Sequence, residues 1–174
     1  VSARPILTLV AIVSADGFIS TGQGVPWDLP RDKAHFRSLT QGQWVLVGRR
    51  TYEEMTGWFG DRQVLVMTRD PAFKAPIGHT VTRIEEALAQ AARGGAQELF
   101  VLGGSGPFDA AMPVADRLVL TEVEVRLGRG VPFPEVSPDE WRVVSKTAFP
   151  PDAENPLAMV FATYERRKPA AGDD

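Results

Sequence analysis

Apolar residues fall into short runs broken by glycine, proline and charge, and the runs differ in kind. Ile6 to Val13 (ILTLVAIV) is apolar at nearly every position and rich in β-branched side chains, the pattern of a strand buried on both faces of a covered sheet. Trp44 to Val47, Val64 to Met67 and Leu99 to Leu102 repeat that pattern in shorter form, and Gly48 and Gly103 close the first and last of these. Arg117 to Val125, Trp141 to Thr147 and Ala158 to Arg166 complete the predicted strands. Helices are predicted between them. Pro30 suits the first turn of a helix running to about Leu39. Thr51 and Glu54 form T-x-x-E, a capping-box spacing for a helix from Thr51 to about Met55. Ile84, Leu88 and Ala91 repeat at helical spacing until Gly94-Gly95, and a short helix is expected over Pro107 to Met112. Ser14 to Trp27 and residues 69–80 are read as loops, the first long enough to suggest a role of its own. Strands alternating with helices and ending in a strand pair imply α/β: a mostly parallel central sheet with an antiparallel C-terminal hairpin and helices on both faces.

Composition narrows the chemistry. The chain has 174 residues, 44% hydrophobic and 24% charged, an ordinary globular mix for one domain, placed at residues 1–167. Residues 168–174 (KPAAGDD) are read as a disordered polar tail. Cysteine is absent, which excludes a disulfide framework, a thiol nucleophile and thiolate zinc sites. Only His35 and His79 are available, so no metal is expected. The net charge of −3 argues against a nucleic-acid partner. No run reaches 18 apolar residues and no leader peptide is read, so the expectation is a cytoplasmic protein without membrane partners, monomeric rather than oligomeric.

Open parallel sheets bind ligands beyond the carboxyl ends of their strands, and two segments fit that place. In Val47-Gly48-Arg49-Arg50-Thr51 a strand ends in glycine and two arginines meet a helix start, which suits a phosphate or is simply a turn with solvated arginines. In Leu102-Gly103-Gly104-Ser105-Gly106-Pro107 the glycines permit close approach of a bulky ligand or make a tight turn. Thr68-Arg69 adds a hydroxyl and a cation for a ribose phosphate, or Arg69 is plain surface. Asp32 shares a helix face with Phe36 and Leu39, a costly place for an acid unless something bonds to it; a first-turn acid favoured by the helix dipole is the other reading. Its neighbours Asp28 and Lys33 are read as solvated.

Seven segments occur in one order: V-P-W-D-L-P-R-D-x-x-x-F-R (25–37), V-G-R-R-T-Y-E (47–53), V-M-T-R-D-P (66–71), L-G-G (102–104), A-D-R-L-V-L-T (115–121), F-P-E (133–135) and N-P-x-x-x-x-F-x-T-Y-E-R-R (155–167). Together they resemble dihydrofolate reductase over about Ile6 to Arg167. The resemblance implies the fold of that family and NADPH-dependent reduction of dihydrofolate, a small-molecule substrate. It makes Asp32 the acid of the pterin pocket, Trp27 the holder of an ordered water beside it and Thr121 its hydrogen-bond partner. Ala11, Ile12, Phe36, Met55 and Leu102 border the substrate, and Arg62 grips the glutamyl α-carboxylate. Ile19 and Val25 lie on the loop that covers the nicotinamide. Gly48, Arg49, Arg50, Thr51, Thr68, Arg69, Gly103, Gly104, Ser105 and Gly106 fall on cofactor positions, and Gly103-Gly104 matches the family's cis peptide.

The chain departs from the family pattern at Lys33, usually apolar and facing substrate, at Ser20, usually glycine, at Phe108, usually tyrosine, and at Arg129-Gly130, which lacks an acidic-Thr pair. Two other readings stand beside this one. The related pyrimidine reductase of riboflavin synthesis shares the fold, and S-A-D-G-F-I (14–19) leans toward it. W-D-L-P-R-D, Arg62 and the N-P…T-Y-E-R-R end argue against it. The other is a non-catalytic NADPH-binding protein that kept the fold and lost the substrate.

Overall fold

The structure is a computed structural model that describes residues 4–23, 26–55 and 57–168. Its centre is an eight-stranded sheet in the order β5-β4-β3-β6-β1-β7-β10-β9. The strands are β1 (Ile6–Ser14), β3 (Trp44–Gly48), β4 (Gln63–Met67), β5 (His79–Val81), β6 (Glu98–Gly103), β7 (Arg117–Val123), β9 (Trp141–Phe149) and β10 (Met159–Arg166). All neighbours are parallel except β10, which runs antiparallel to both β7 and β9. A separate two-stranded ribbon pairs β2 (Phe18–Ser20) with β8 (Val131–Pro132).

The alternation of side chains explains why the central strands read as continuous apolar runs. Val45, Val47, Val64, Val66 and Phe100 face one side with Tyr52, Phe36 and Met55. Leu46, Leu65, Leu99 and Val101 face the other, against Ile84, Ala87 and Ala91 of α3 (Ile84–Arg93) and Phe108 of α4 (Ser105–Ala111). α1 (Pro30–Thr40) and α2 (Arg49–Glu54) precede and follow β3. Both faces of the central strands are therefore dry, which a parallel sheet requires.

Several boundaries differ from the sequence expectation. The Thr51–Glu54 capping box is not formed: α2 starts at Arg49, Gly48 is its N-cap, and no side chain caps it. Thr51 lies inside the helix and Glu54 pairs instead with Arg50. α4 likewise starts at Ser105, ahead of Pro107, because β6 turns into helix directly at Gly104. β7 stops at Val123, two residues short of Val125. The Ser14–Trp27 loop contains β2, and the 69–80 loop gives way to β5, which adds the sheet's outer strand. Residues 169–174 of the expected tail lie outside the described residues.

Candidate active site

Two neighbouring regions gather most of the expected residues. The first runs along α1. Pro30 opens the helix, and the Arg31 N–H donates to the Asn155 side-chain oxygen at 3.0 Å. Asn155 is itself buried and donates from its backbone and side chain to Asp152. A residue far along the chain thus fixes the first turn, where Asp32 sits. The Thr121 hydroxyl, reaching from β7, donates to Asp32 Oδ1 at 2.6 Å. Burial raises the Asp32 pKa above the ordinary carboxylate range, opposed by the Thr121 hydrogen bond and by the charge of His35. His35 stacks on Phe161 at 4.2 Å between ring centroids. Lys33 does not face this region. Its ammonium pairs with Asp28 at 2.6 Å, and both side chains are exposed, as the solvated reading of that pair expects.

Four residues after Asp32, Phe36 packs on Trp58 at 4.8 Å, in one apolar cluster with Met55 and Leu102. Four further on, Thr40 accepts a hydrogen bond from Arg62 Nε at 3.1 Å. Arg62 is only 8% exposed, lies over the Trp58 ring at 3.9 Å and pairs with Asp61. Its second terminal nitrogen is buried with no hydrogen-bond partner among the described residues. Burial depresses its pKa, and the nearby Arg37 adds to that effect. One face of α1 therefore carries an acid at one end, aromatic surface in the middle and a guanidinium with a spare donor at the other. Eight residues at helical rise separate the ends by ~12 Å. Trp58 was not among the expected residues. The only sign of it in the sequence is an aromatic pair in a glycine-flanked turn, Gly57-Trp58-Phe59-Gly60.

The second region is a cavity of about 470 Å³ beside the first. Ala11 and Ile12 of β1, Gly48 to Thr51, and Leu102 to Gly106 line it, together with Ile19. Gly103-Gly104 is a cis peptide. A Cβ at Gly104 would stand 3.1 Å from the Thr51 hydroxyl oxygen, and one at Gly48 3.2 Å from Pro107. The glycines let β3 and β6 enter their helices side by side, and uncapped backbone at the starts of α2 and α4 faces the same space. Met67, Glu54, Pro107 and Val131 also line it and were not expected; Ser20 and Phe108, two of the departures, line it as well. Thr68 and Arg69 are not lining residues but directly follow Met67. The Thr68 hydroxyl accepts the Asp70 N–H, and Arg69 is exposed. Arg49 pairs with Glu53 and Asp70 and lies over Phe73. Val25 lies outside the described residues.

Ile19 is held over this cavity by the β2–β8 ribbon. Asp16 anchors the ribbon's base, accepting the Leu127 and Gly128 N–H groups at 3.0 and 2.7 Å and the Ser14 hydroxyl at 2.7 Å. These bonds, the Ser14 one foremost, lower its pKa to about 2. Gly130 has a φ of +144°, and a Cβ there would stand 2.1 Å from the Ser20 carbonyl oxygen, so only glycine allows the strands to meet.

A glycine-lined cavity at the ends of parallel strands, next to a slot with one half-buried acid, defines an open α/β domain with a nucleotide-type ligand site. Comparison with known proteins makes that class specific. The family model described as dihydrofolate reductase matches residues 6–166, and the chain belongs to this family. It is 29% identical over 163 residues to the type 3 dihydrofolate reductase of Salmonella typhimurium, covering 94% of this chain and 99% of that one. It is 33% identical over 142 residues to dihydrofolate reductase of Neisseria gonorrhoeae, covering 81% and 86% respectively. Among solved structures it resembles a dihydrofolate reductase from Enterococcus faecalis in complex with NADP(H) and RAB-propyl, with a TM-score of 0.83 and 28% identity. That match covers 94% of this chain and 97% of the other. Among the described residues no helix is long and apolar enough to cross a membrane, and no group of side chains is placed to hold a metal ion.

Proposed function

We propose that the chain reduces 7,8-dihydrofolate to tetrahydrofolate with NADPH, binding the substrate along α1 and the cofactor in the adjoining cavity. The observation that carries this reading is the line Asp32–Phe36–Arg62. Its order of acid, aromatic surface and guanidinium matches the order of pterin, benzoyl ring and glutamyl carboxylate. Asp32 accepts hydrogen bonds from the pterin 2-amino group and a ring N–H, which orients the flat ring. The Thr121 hydroxyl occupies one lone pair of Asp32 and holds the carboxylate in place. The Trp27 indole N–H is buried without an acceptor among the described residues, which suits a water shared with Asp32. Phe36, Met55 and Leu102 give the rings an apolar wall. The spare Arg62 nitrogen meets the α-carboxylate.

When bound, NADPH would supply a hydride for pterin C6. The glycine cradle at Gly48, Gly103 and Gly104 fits such a cofactor, because a side chain at Gly48 or Gly104 would crowd Pro107 or Thr51. Arg49, Arg50, Thr51, Thr68 and Arg69 would hold its phosphates, and their cations would favour a phosphorylated ribose. Ile19 and the ribbon that carries it exclude water from the reacting atoms. A carboxylate whose pKa is raised by burial favours a proton near the pterin, and N5 must gain one as C6 accepts hydride. Asp32→Asn keeps the size of the side chain and removes that function. Turnover of dihydrofolate in this variant falls on the order of 10²-fold at neutral pH, the scale of a lost proton-handling group. Affinity for NADPH, read by fluorescence titration, stays as in the wild type. A fully active variant rejects the assignment.

A further inference from the structure

A second cavity takes no part in the site above. It has a volume of about 850 Å³, within the range of small-molecule sites, and shares no lining residue with the cofactor cavity. It lies at the carboxyl ends of β1 and β7. Glu122 and Tyr164 line it, and they point away from the face on which Thr121 and Phe161 meet α1, because neighbouring residues of a strand face opposite sides. α3 and α4 pack over β5, β6, β3 and β1 on that side, whereas the 133–136 segment borders the cavity beside β7 and β10.

Leu120, Phe133 and Val160 give the cavity an apolar interior. Its ionisable lining is of one sign: Glu122, Glu124 and Glu135, with no lysine, arginine or histidine. The described residues give none of these three carboxylates a basic partner. Glu122 is held in position, since its Oε1 accepts the Tyr164 hydroxyl at 2.5 Å. That bond fixes the carboxylate, so a cation seated there meets a negative charge held in place. A hydrophobic anion would have to approach three carboxylates, and a neutral apolar molecule would cover the half-buried Glu122 without a charge to meet it. We infer that this cavity is a second ligand site, selective for a small hydrophobic cation such as an arylalkyl ammonium, with the ammonium at Glu122 and the aryl group against Leu120 and Val160.

The probe is 2-naphthylmethylammonium, titrated into the full chain by calorimetry at pH 7, with 2-naphthalenemethanol and 2-naphthoate as its neutral and anionic counterparts. Amide NMR shifts locate the binding. The ammonium binds about tenfold or more tighter than the alcohol, the return expected of one charge-assisted contact, and the naphthoate binds more weakly still. The shifts centre on Ala148, Ala158 and Val160. Glu122→Gln removes that preference. If Glu122→Gln does not fold, judged by circular dichroism, the double substitution Glu124→Gln and Glu135→Gln on exposed positions weakens the ammonium alone. No binding, equal affinity for alcohol or naphthoate, shifts centred on Asp32 and Phe36, or unaltered binding in the folded variants overturns the inference. None of these results depends on whether the chain reduces dihydrofolate.

Discussion

Asp32 is an acid that folding makes less acidic. Burial is the main cause, and the Thr121 hydrogen bond only partly offsets it. Its pKa in the folded chain lies above the unfolded one, so between the two the native state holds more protons and stability falls as pH rises. Above that interval the cost is constant. Asp32→Asn therefore melts at a higher temperature than the wild type at pH 7, and the difference closes as pH falls from the raised folded-state pKa to the ordinary carboxylate value. Thermal melts of both proteins across that range measure this, and parallel curves would remove burial as the cause. In the proposed reading Arg62 serves the other end of the substrate. Arg62→Ala raises KM for dihydrofolate roughly ten- to a hundredfold with kcat little changed, because a tail contact binds ground and transition states alike. Steady-state kinetics decide this, and an unchanged KM means that the substrate lacks the carboxylate. Asp32 and Arg62, the two proposed ends of the slot, were named from motif order. Trp58 was not, because its place is set by Phe36 and Arg62, which the sequence puts 22 and four residues away.

At the scale of elements, α1 is positioned by a cap borrowed from the other end of the chain. Asn155 accepts the Arg31 N–H, and Asp152 holds Asn155 while pairing with Arg31. These bonds, those from Asn155 foremost, lower the Asp152 pKa to about 2. Asn155→Ala removes the cap acceptor and leaves Asp152 short of donors, at a cost of about 1–2 kcal/mol in urea unfolding. A cost near zero would mean that α1 is held by Leu29 and its apolar neighbours alone. The long strands were legible because burial on both faces writes an unbroken apolar run, as in β1 and β6. β2, β5 and β8 were not, since two or three residues carry no period and their pairing is decided by distant partners. The start of α2 was misread for a related reason. T-x-x-E describes a local cap, but Gly48 already turns the chain, and Thr51 stands over Gly104 instead.

Over the whole molecule, the strand order brings β1, β3 and β6 together so that three chain ends open on one cavity, with α1 beside it. The alternation of elements was enough to read an α/β fold with a parallel sheet and a terminal antiparallel pair. The strand order itself was not readable from periodicity, which records burial and not neighbours. The cavity lined by Glu122 and Tyr164 was also hidden, because its residues come from five separate segments with no shared motif. The account as a whole rests on a reduced nicotinamide meeting a pterin held by one acid. Following the loss of NADPH absorbance with the purified chain, dihydrofolate on the one hand and the ribosylaminopyrimidinone phosphate on the other, tests it most directly. The account predicts rapid oxidation of NADPH with dihydrofolate and none with the pyrimidinone; no turnover of dihydrofolate, or turnover of the pyrimidinone in its place, would contradict it.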